Sequence, residues 1–252
     1  MLKAYEEWGT AAFNRFNGMF AFTLWDGRRK VLLAVRDRFG VKPLYVAQVD
    51  GAYIFASEIK SLLRYPGAFR GFNRDKVSAY LTHCLVDDDR DTLFYGVRSV
   101  EPGTFLELSR SGENSGRFWS LPIASACEAR HSEHELIQEF RVLLANAVKL
   151  RIRSDVPIGT MLSGGLDSTA ITALIHKQKT SSEQSFDGLR GFHHTFSACW
   201  PGWESDEEAD VDLLCSKLGL ESHKLYPTAE SLHGVMSEAL YHLEEPLRLR
   251  PR

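Results

Sequence analysis

The segment from residue 157 to residue 169 constrains the fold of this chain more than any other. An apolar run ends at Leu162, and the six residues Ser163-Gly164-Gly165-Leu166-Asp167-Ser168, the glycine loop, lead into apolar residues at helical spacing. Glycine lacks a Cβ atom, so the backbone can turn sharply and approach a ligand closely. The first N–H groups of the next helix are unpaired, and the helix dipole adds positive charge beside them. The pattern predicts a strand–loop–helix junction that is either a phosphate site or a tight turn whose serines cap the helix.

The glycine loop differs from two common nucleotide-binding patterns. No Lys-Ser or Lys-Thr pair follows the glycines at the spacing of a Walker loop, and the Gly-x-Gly-x-x-Gly pattern of dinucleotide folds is absent. Ser163, Ser168 and Thr169 can add hydroxyl donors. Asp167 is a poor direct phosphate ligand because like charges repel. Its carboxylate either caps the helix or helps to hold a magnesium ion.

The rest of the C-terminal half alternates strands with helices, which is typical of a parallel, doubly wound α/β sheet. The expected strands cover residues 156–162, 194–199 and 221–226, and the expected helices cover residues 136–150, 167–176, 207–218 and 229–243. Gly219 should end the third of these helices. Residues 180–191 are polar and contain glycine, so we expect a surface loop there.

The N-terminal half has a different pattern, with short apolar runs separated by turns. Asp26-Gly27 and Asp50-Gly51 each lie between two such runs, which predicts two β-hairpins. Short helices are expected at 59–64 and 75–84, and a further strand at 104–108. The prediction is α+β and α/β in two domains: a layered sheet domain over residues 1–120, a linker over 121–134, and the α/β domain over 135–252.

Composition excludes several classes of protein. The formal net charge is −3, with 30 basic and 33 acidic residues, which favours neither a nucleic-acid partner nor an anionic membrane surface. No apolar run approaches a membrane span, and the first residues do not form a signal peptide. The four cysteines are far apart and form no metal-type pair. We therefore expect reduced, mostly buried thiols and a cytoplasmic location.

Several motifs, taken in order, resemble a known family. Residues 162–168 are similar to the pyrophosphate loop of the N-type ATP-pyrophosphatases. Upstream, three segments resemble class II glutamine amidotransferase domains: Asn-Gly-Met-Phe-Ala-Phe at 17–22, Arg-Asp-Arg-Phe-Gly-Val-Lys-Pro-Leu-Tyr at 36–45, and Phe-Ala-Ser-Glu-Ile-Lys-Ser-Leu at 55–62. This combination resembles glutamine-hydrolysing asparagine synthetase, roughly from Tyr5 to Pro246. The first domain would then be of the N-terminal-nucleophile type, and the second an ATP-pyrophosphatase domain.

The resemblance implies substrates, cofactors and site residues. ATP with Mg²⁺, aspartate, and glutamine or ammonia would give asparagine, AMP and pyrophosphate. The implied ATP site consists of Leu162, Ser163, Gly164, Gly165, Leu166, Asp167, Ser168 and Ala198, with Asp167 also the candidate magnesium ligand. Leu162 and Ala198 would line the adenine and ribose side, and core packing of a strand is an equally open interpretation of both. Ala198 departs from the larger aliphatic residue usual in the family, and Cys199 stands where glycine is common.

Two charged segments leave their roles open. Arg36, Asp37, Arg38 and Lys42 form either a surface ion network beside a turn, which we favour, or part of the chemistry. Glu244 and Glu245 match an acidic pair near the synthetase site in the family. They predict either a metal site or a solvated helix end.

Some motifs of the family are missing from the sequence. Met1 is followed by leucine rather than by the cysteine nucleophile of the glutaminase, and the family's second glycine-acid loop does not follow Pro246. We therefore expect a chain incomplete at both ends, with no catalytic residue for glutamine hydrolysis. The alternatives are a non-catalytic nucleotide-binding remnant and a β-lactam-synthetase-like ligase. Oligomeric state stays open, with a homodimer among the options.

Overall fold

The computed structural model describes residues 1–85, 89–122, 132–154, 156–181 and 193–246. It divides into two units, the first comprising Met1–Ala124 with Ser237–Arg252, and the second Ser125–Met236. The sequence-based boundaries differ in one respect, because they assign the residues after 236 to the second domain. Most of the predicted linker, residues 123–131, lies outside the described residues.

The first unit is built mainly from β-strands. It starts with helix α1 (Leu2–Trp8) and a 3-10 helix (Gly9–Arg15), which the sequence did not predict. The strands are β1 (Ala21–Asp26), β2 (Val31–Arg36), β3 (Tyr45–Val49), β4 (Ala52–Ala56), β5 (Val97–Ser99), β6 (Thr104–Ser109) and β7 (Gly112–Arg117). Helices α2 (Ile59–Leu63) and α3 (Arg74–His83) lie in the two segments where helices were predicted, and the short strand β5 after them was not predicted.

These strands form two antiparallel sheets. One has the order β1-β2-β6-β7 and the other the order β4-β3-β5. The β1–β2 and β3–β4 pairs are antiparallel neighbours joined by short turns, which confirms both predicted hairpins. The strand β7 was not predicted, because its sequence Gly-Glu-Asn-Ser-Gly-Arg has no apolar residue and it pairs with β6 through its backbone.

Side chains that alternate along each strand produce layers. In β2, Ala34 belongs to a core shared with the second sheet, whereas Leu33 and Val35 point to the opposite face and pack against Phe13 of the 3-10 helix. In β3, Val46 belongs to the shared core, whereas the residues before and after it in the strand point to the opposite face and pack with residues of α2. A period of two places alternate residues on opposite faces of a sheet. The predicted layered sheet domain is therefore confirmed.

The second unit contains a parallel sheet with helices. Its elements are α4 (Glu133–Arg151), β8 (Gly159–Met161), α5 (Leu166–Ser181), β9 (His194–Ala198), α6 (Glu208–Leu218), β10 (Glu221–Leu225) and the beginning of α7 (Ala229–Leu243). The three strands are parallel, in the order β10-β9-β8. The expected parallel α/β arrangement is confirmed, and the strands follow one another as in one half of a doubly wound sheet.

Local signals explain where the helices begin and end. Ser132 and Glu135 form a reciprocal capping box at the start of α4. Gly219, at φ +62°, ends α6 in the left-handed conformation, as predicted. Helix α5 continues to Ser181, so a surface loop beginning at residue 180 is wrong at its start, and residues 182–192 lie outside the described part of the chain.

The two faces of the parallel sheet differ in burial. Thr160, Thr195 and Ser197 are buried on one face, where the Thr195 hydroxyl lies 3.4 Å from the Cys215 sulfur of α6. On the opposite face Met161 is 76% exposed. No helix within the described ranges is long and apolar enough to cross a membrane.

Candidate nucleotide-binding site

The glycine loop lies at the carboxyl end of β8, where the chain leaves the sheet and enters α5. The Leu162 N–H donates to the carbonyl oxygen of Phe196 at 2.9 Å, and the Ser197 hydroxyl donates to the carbonyl oxygen of Leu162 at 2.6 Å. Both bonds tie the loop to the neighbouring strand β9. The predicted strand–loop–helix junction is confirmed, and open parallel sheets bind ligands at this edge.

The two glycines serve different structural needs. Gly164 has a φ of +82°, and a Cβ atom there would lie 2.8 Å from the Glu207 Cβ and 3.0 Å from the Glu207 carbonyl oxygen. Only glycine fits without displacing the start of α6. Gly165 is less restricted, because its added Cβ would meet the Ser163 hydroxyl at 3.5 Å, an ordinary contact. Gly164 is therefore required by the fold, whereas the fold tolerates a Cβ at Gly165.

Ser163 and Ser168 close the loop through their hydroxyl groups. The Ser168 hydroxyl accepts the Ser163 N–H at 3.3 Å, lies 3.0 Å from the Ser163 hydroxyl, and is 3.2 Å from the carbonyl oxygen of Gly165. The Thr169 N–H donates to that same carbonyl at 3.1 Å. The serines therefore do stabilise a turn, as the simpler sequence interpretation held.

The apolar members of the predicted site lie in different environments. Leu162 is 2% exposed and packs in a small core with Val211 and Cys215 of α6. Leu166, the first residue of α5, is 90% exposed. Ala198 is exposed and ends β9, beside Leu225 of β10. Core packing thus accounts for Leu162 but not for Ala198.

Carboxylates surround the loop. Asp167 is exposed in the first turn of α5, and Glu207 and Asp210 from the start of α6 flank the position of Gly164. The sequence analysis did not single out Glu207 or Asp210. Their signal was available, because they follow the carboxyl end of β9, the neighbour of β8, and such ends meet at one edge of a parallel sheet. This local charge disfavours a bare phosphate and favours an anion accompanied by a cation.

The cysteines differ in burial. Cys199 and Cys215 are buried, Cys84 is exposed, and Cys127 lies outside the described residues. Burial raises the pKa of the Cys199 thiol, and the neighbouring Glu208 adds to the effect. A raised pKa keeps the thiol protonated and unreactive at neutral pH. Cys84 is an exception to the expected mostly buried thiols.

The charged segment at the end of β2 is structural, as favoured, and within the described residues its side chains contact mainly backbone groups of a turn. Asp37 is 1% exposed, and its carboxylate accepts four backbone N–H groups at 3.0 to 3.2 Å, from Phe20, Phe39, Val41 and Lys42. The Arg36 guanidinium donates to the carbonyl oxygens of Gly40, Lys42 and Val100, and the Arg38 guanidinium donates to those of Asn14 and Phe16. These side chains therefore organise the backbone of the turn.

Glu244 has a structural role that the sequence did not predict. Its carboxylate accepts the N–H groups of Ile59 and Lys60 at the start of α2, and its side chain is 10% exposed. The Lys60 ammonium lies 3.6 Å from the same carboxylate. Glu244 therefore caps a helix within the first unit, and the description as a solvated helix end is wrong.

Comparison with known families gives two matches along the chain. The family model of the glutamine amidotransferase domain matches residues 1–119, and that of asparagine synthase matches residues 139–250. The first match covers the layered sheet unit, and the second covers the parallel α/β unit and extends into the last residues of the chain. This combination defines a class of proteins in which a glutamine amidotransferase domain precedes an asparagine synthase domain.

Two curated relatives and one solved structure show the extent of the similarity. An amidase of Penicillium rubens, chyE, is 30% identical over 255 residues, covering 98% of this chain and 37% of the relative. Asparagine synthetase 3 of Bacillus subtilis is 34% identical over 176 residues, covering 69% of this chain and 28% of the relative. The glutamine phosphoribosylpyrophosphate amidotransferase structure from B. subtilis covers 87% of this chain and 50% of that chain at 14% identity, but its TM-score of 0.30 is too low to support an argument.

The chain belongs to the asparagine synthetase family of the glutamine-hydrolysing type. It spans 37% of the length of the amidase and 28% of the length of asparagine synthetase 3.

Proposed function

We propose that the glycine loop binds the phosphates of ATP as a magnesium complex, and that the chain supplies this site to an ATP-dependent ligase of asparagine biosynthesis. In that reaction the side-chain carboxylate of aspartate attacks the α-phosphorus of ATP and releases pyrophosphate. Ammonia, free or derived from glutamine, then attacks the resulting acyl adenylate, and AMP leaves as asparagine forms. The observation that carries the proposal is the position of Gly164 and Gly165 between a strand end and a helix start.

The phosphate-binding step rests on the backbone. Helix α5 is 16 residues long, and the first N–H groups of a helix have no intrahelical acceptor. Gly165 has no side chain between this first turn and solvent, and an added Cβ would meet no atom closer than 3.5 Å. A phosphate can therefore approach the N–H groups closely, where the helix dipole favours negative charge.

The magnesium requirement follows from the charges around the loop. Asp167 lies in the first turn of α5, and Glu207 is close to the position of Gly165. Without a cation these carboxylates repel the polyphosphate. Carboxylate oxygens and phosphate oxygens are the ligands that Mg²⁺ prefers. We assign Asp167 as the magnesium ligand and expect Mg–ATP to bind much more tightly than free ATP.

The nucleoside side of the site is assigned to the end of β9. Ala198 is exposed there, and its small side chain leaves the surface beside the buried Leu162 uncrowded. An adenine ring needs an apolar surface of this kind. The bulkier aliphatic residue usual at this position would cover more of the ring, so we expect weak nucleotide binding.

The acceptor substrate has a second candidate. A relative that is 30% identical over 98% of this chain is named an amidase, and a putative asparagine synthetase matches the same share of the chain at the same identity. A family member that forms or breaks an amide bond in a substrate other than aspartate fits that match equally well. Aspartate specificity is therefore tested separately from nucleotide binding.

The nucleotide test uses the 252-residue chain in calorimetric titrations with Mg–ATP and with ATP in EDTA. Gly165→Val should reduce Mg–ATP affinity at least tenfold, since its branched side chain fills the space above the first turn of α5. The matched control is Gly234→Ala in α7, where an added Cβ meets no atom within 4 Å. Equal affinity in the folded Gly165→Val variant would mean that the loop is only a turn.

The acceptor test measures pyrophosphate release with Mg–ATP and ammonia, with and without aspartate. Release that depends on aspartate supports the synthetase assignment. Release that occurs with other carboxylic acids but not with aspartate would replace it with the second candidate. Mg–ATP binding without release in any mixture would contradict catalysis by this chain while leaving the nucleotide site intact.

A further inference from the structure

Two histidines and one glutamate meet on the exposed face of the parallel sheet, away from the glycine loop. Glu221 of β10 is the register partner of His194 in β9, and His223 is the partner of Phe196. Alternation along the two strands directs His194, Glu221 and His223 to the same face. This is the face opposite to Thr195, which is fully buried and contacts α6.

The donor atoms of these three side chains are already close together. The His194 Nδ1 lies 2.9 Å from the His223 Nε2. The Glu221 Oε2 lies 3.3 Å from the His194 Nδ1, and the Glu221 Oε1 lies 3.5 Å from the His223 Nε2. In a tetrahedral zinc site with bonds of about 2.0 to 2.1 Å, neighbouring donor atoms are about 3.3 Å apart. Each of the three distances is close to that spacing, and one donor atom from each side chain lies within 4.8 Å of the other two.

One neighbouring side chain packs against the His223 ring. Phe196 stacks on the His223 ring with centroids 4.9 Å apart and an angle of 17° between the planes. The side chains of His194, Glu221 and His223 are 35%, 53% and 44% exposed. A metal ion held by the three donors would therefore keep a coordination position open to solvent.

We propose that His194, Glu221 and His223 form a binding site for a divalent transition metal ion, and we assign zinc as the ion that they bind. Two imidazoles and one carboxylate suit zinc and its neighbours in the first transition row, whereas Mg²⁺ prefers oxygen ligands alone. The fourth ligand is water or a group of a bound molecule. The site has the donor set of a three-ligand, open zinc centre.

The zinc site is separate from the magnesium site proposed at the glycine loop. His194 and Glu221 are the first residues of β9 and β10, whereas the glycine loop follows the last residue of β8. Because the strands are parallel, these positions lie at opposite ends of the sheet, about 13 Å apart along a five-residue strand. The zinc site does not depend on the proposed ligase function.

The test uses the metal-free, untagged 252-residue chain and measures Zn²⁺ binding by calorimetry. Co²⁺ absorption then serves as a probe of coordination geometry. We expect one strong site, with a cobalt spectrum of tetrahedral intensity. His223→Gln and Glu221→Gln should each weaken Zn²⁺ affinity at least tenfold and remove the cobalt band, since loss of a direct ligand exceeds the loss of a supporting contact. Circular dichroism establishes that each variant is folded.

The matched control is His233→Gln, which removes an exposed histidine of α7 outside the cluster. It should leave both the affinity and the cobalt spectrum unchanged. An equal loss in His233→Gln and His223→Gln would mean that surface histidines bind zinc unspecifically. Unchanged zinc affinity in both cluster variants, or no binding at all, would show that the three side chains form only a hydrogen-bonded cluster, and would overturn the proposal.

Discussion

The carboxylate of Glu244 accepts the backbone N–H of Ile59 at 2.7 Å, although 185 positions separate the two residues. Its second oxygen accepts the N–H of Lys60 at 2.6 Å. Ile59 is the first residue of α2, a helix of five residues, and the preceding residue Glu58 provides no side-chain cap. The cap of this short helix is therefore supplied by a residue at the other end of the chain.

Glu244→Ala should destabilise the first unit, because two N–H groups at the start of α2 lose their acceptor. Loss of a helix cap costs about 1 kcal/mol, and an unsatisfied buried donor adds a similar amount. Urea unfolding followed by circular dichroism measures the change. Glu238→Ala serves as the control, because Glu238 is exposed on α7, and should change the free energy of unfolding by less than about 0.5 kcal/mol. Equal effects of the two changes would contradict the cap.

The two glycines of the loop should respond differently to alanine. Gly164→Ala forces a Cβ to within 3.0 Å of the Glu207 carbonyl oxygen at a φ of +82°, and a backbone carbonyl has no rotamer that avoids it. We expect a loss of about 2 kcal/mol or more in the free energy of unfolding. Gly165→Ala should change stability by less than about 1 kcal/mol. Thermal unfolding of both variants checks this order, and a more damaging Gly165→Ala would contradict the described geometry.

Asp37 should make the chain sensitive to acid. Burial raises the pKa of Asp37, but four backbone N–H donors outweigh that effect and hold the pKa below its ordinary value of 3.8. Because the folded pKa is lowered, the stabilisation is present above pH 3.8 and is lost as the pH falls through the folded pKa. Asp37→Asn should therefore lower the free energy of unfolding at pH 7 and lose this acid dependence.

The measurement for Asp37 is urea unfolding at several pH values between 7 and 3. Asp37→Asn retains one acceptor oxygen, whereas Asp37→Ala retains none, so the alanine variant should lose at least about 2 kcal/mol at pH 7 and the asparagine variant less. A difference between wild type and Asp37→Asn that stays constant from pH 7 to pH 3 would rule out the carboxylate as the titrating group.

The sequence revealed those parts of the fold that depend on local patterns. Alternation, turn dipeptides and helix caps predicted the two hairpins and the parallel half, because each signal lies within a few residues of the structure that it specifies. The polar strand β7 was missed, since Gly112–Arg117 pairs through its backbone with β6 and needs no apolar side chain. Edge strands of this kind carry a weak sequence signal.

The part of the candidate site that lies in one continuous segment was also predictable from the sequence. The glycine loop is a continuous segment, and its position between a strand and a helix followed from its own residues and their neighbours. The strand order places Glu207 at the same edge of the sheet as Gly164, but its close approach depends on the packing of α6 against Leu162, which no local pattern encodes. Asp37 was placed at the surface because its charged neighbours suggested solvent, whereas the four N–H groups that bury it converge only in the folded turn.

Helix α4 shows the opposite case, because its sequence pattern predicts more buried residues than the structure contains. Its apolar residues recur at helical spacing and predict a buried face. In the structure Val148 is buried, whereas Phe140 is 64% exposed and Leu143 is 59% exposed. Periodicity identifies the side of a helix that can be buried, but the surrounding chain decides how much of that side is covered.

His193 should give the second unit a further dependence on pH. The residue is 3% exposed, and its Nε2 lies 3.1 Å from the Thr160 hydroxyl. Burial lowers the pKa of His193 below its ordinary value of 6.5, and the nearby charge of Lys179 acts in the same direction. The unfolded chain therefore takes up this proton at a higher pH than the folded chain, so stability is retained above pH 6.5 and falls as the pH drops below it.

His193→Gln removes the titrating ring and keeps a polar group near Thr160. The free energy of unfolding of wild type should fall relative to this variant between pH 7 and pH 5, by at most about 1.4 kcal/mol per pH unit. Urea unfolding at half-unit intervals of pH measures the difference. His233→Gln, which removes an exposed histidine, should follow wild type throughout. A His193→Gln curve parallel to that of wild type down to pH 5 would show that His193 takes up its proton equally in the folded and unfolded chains.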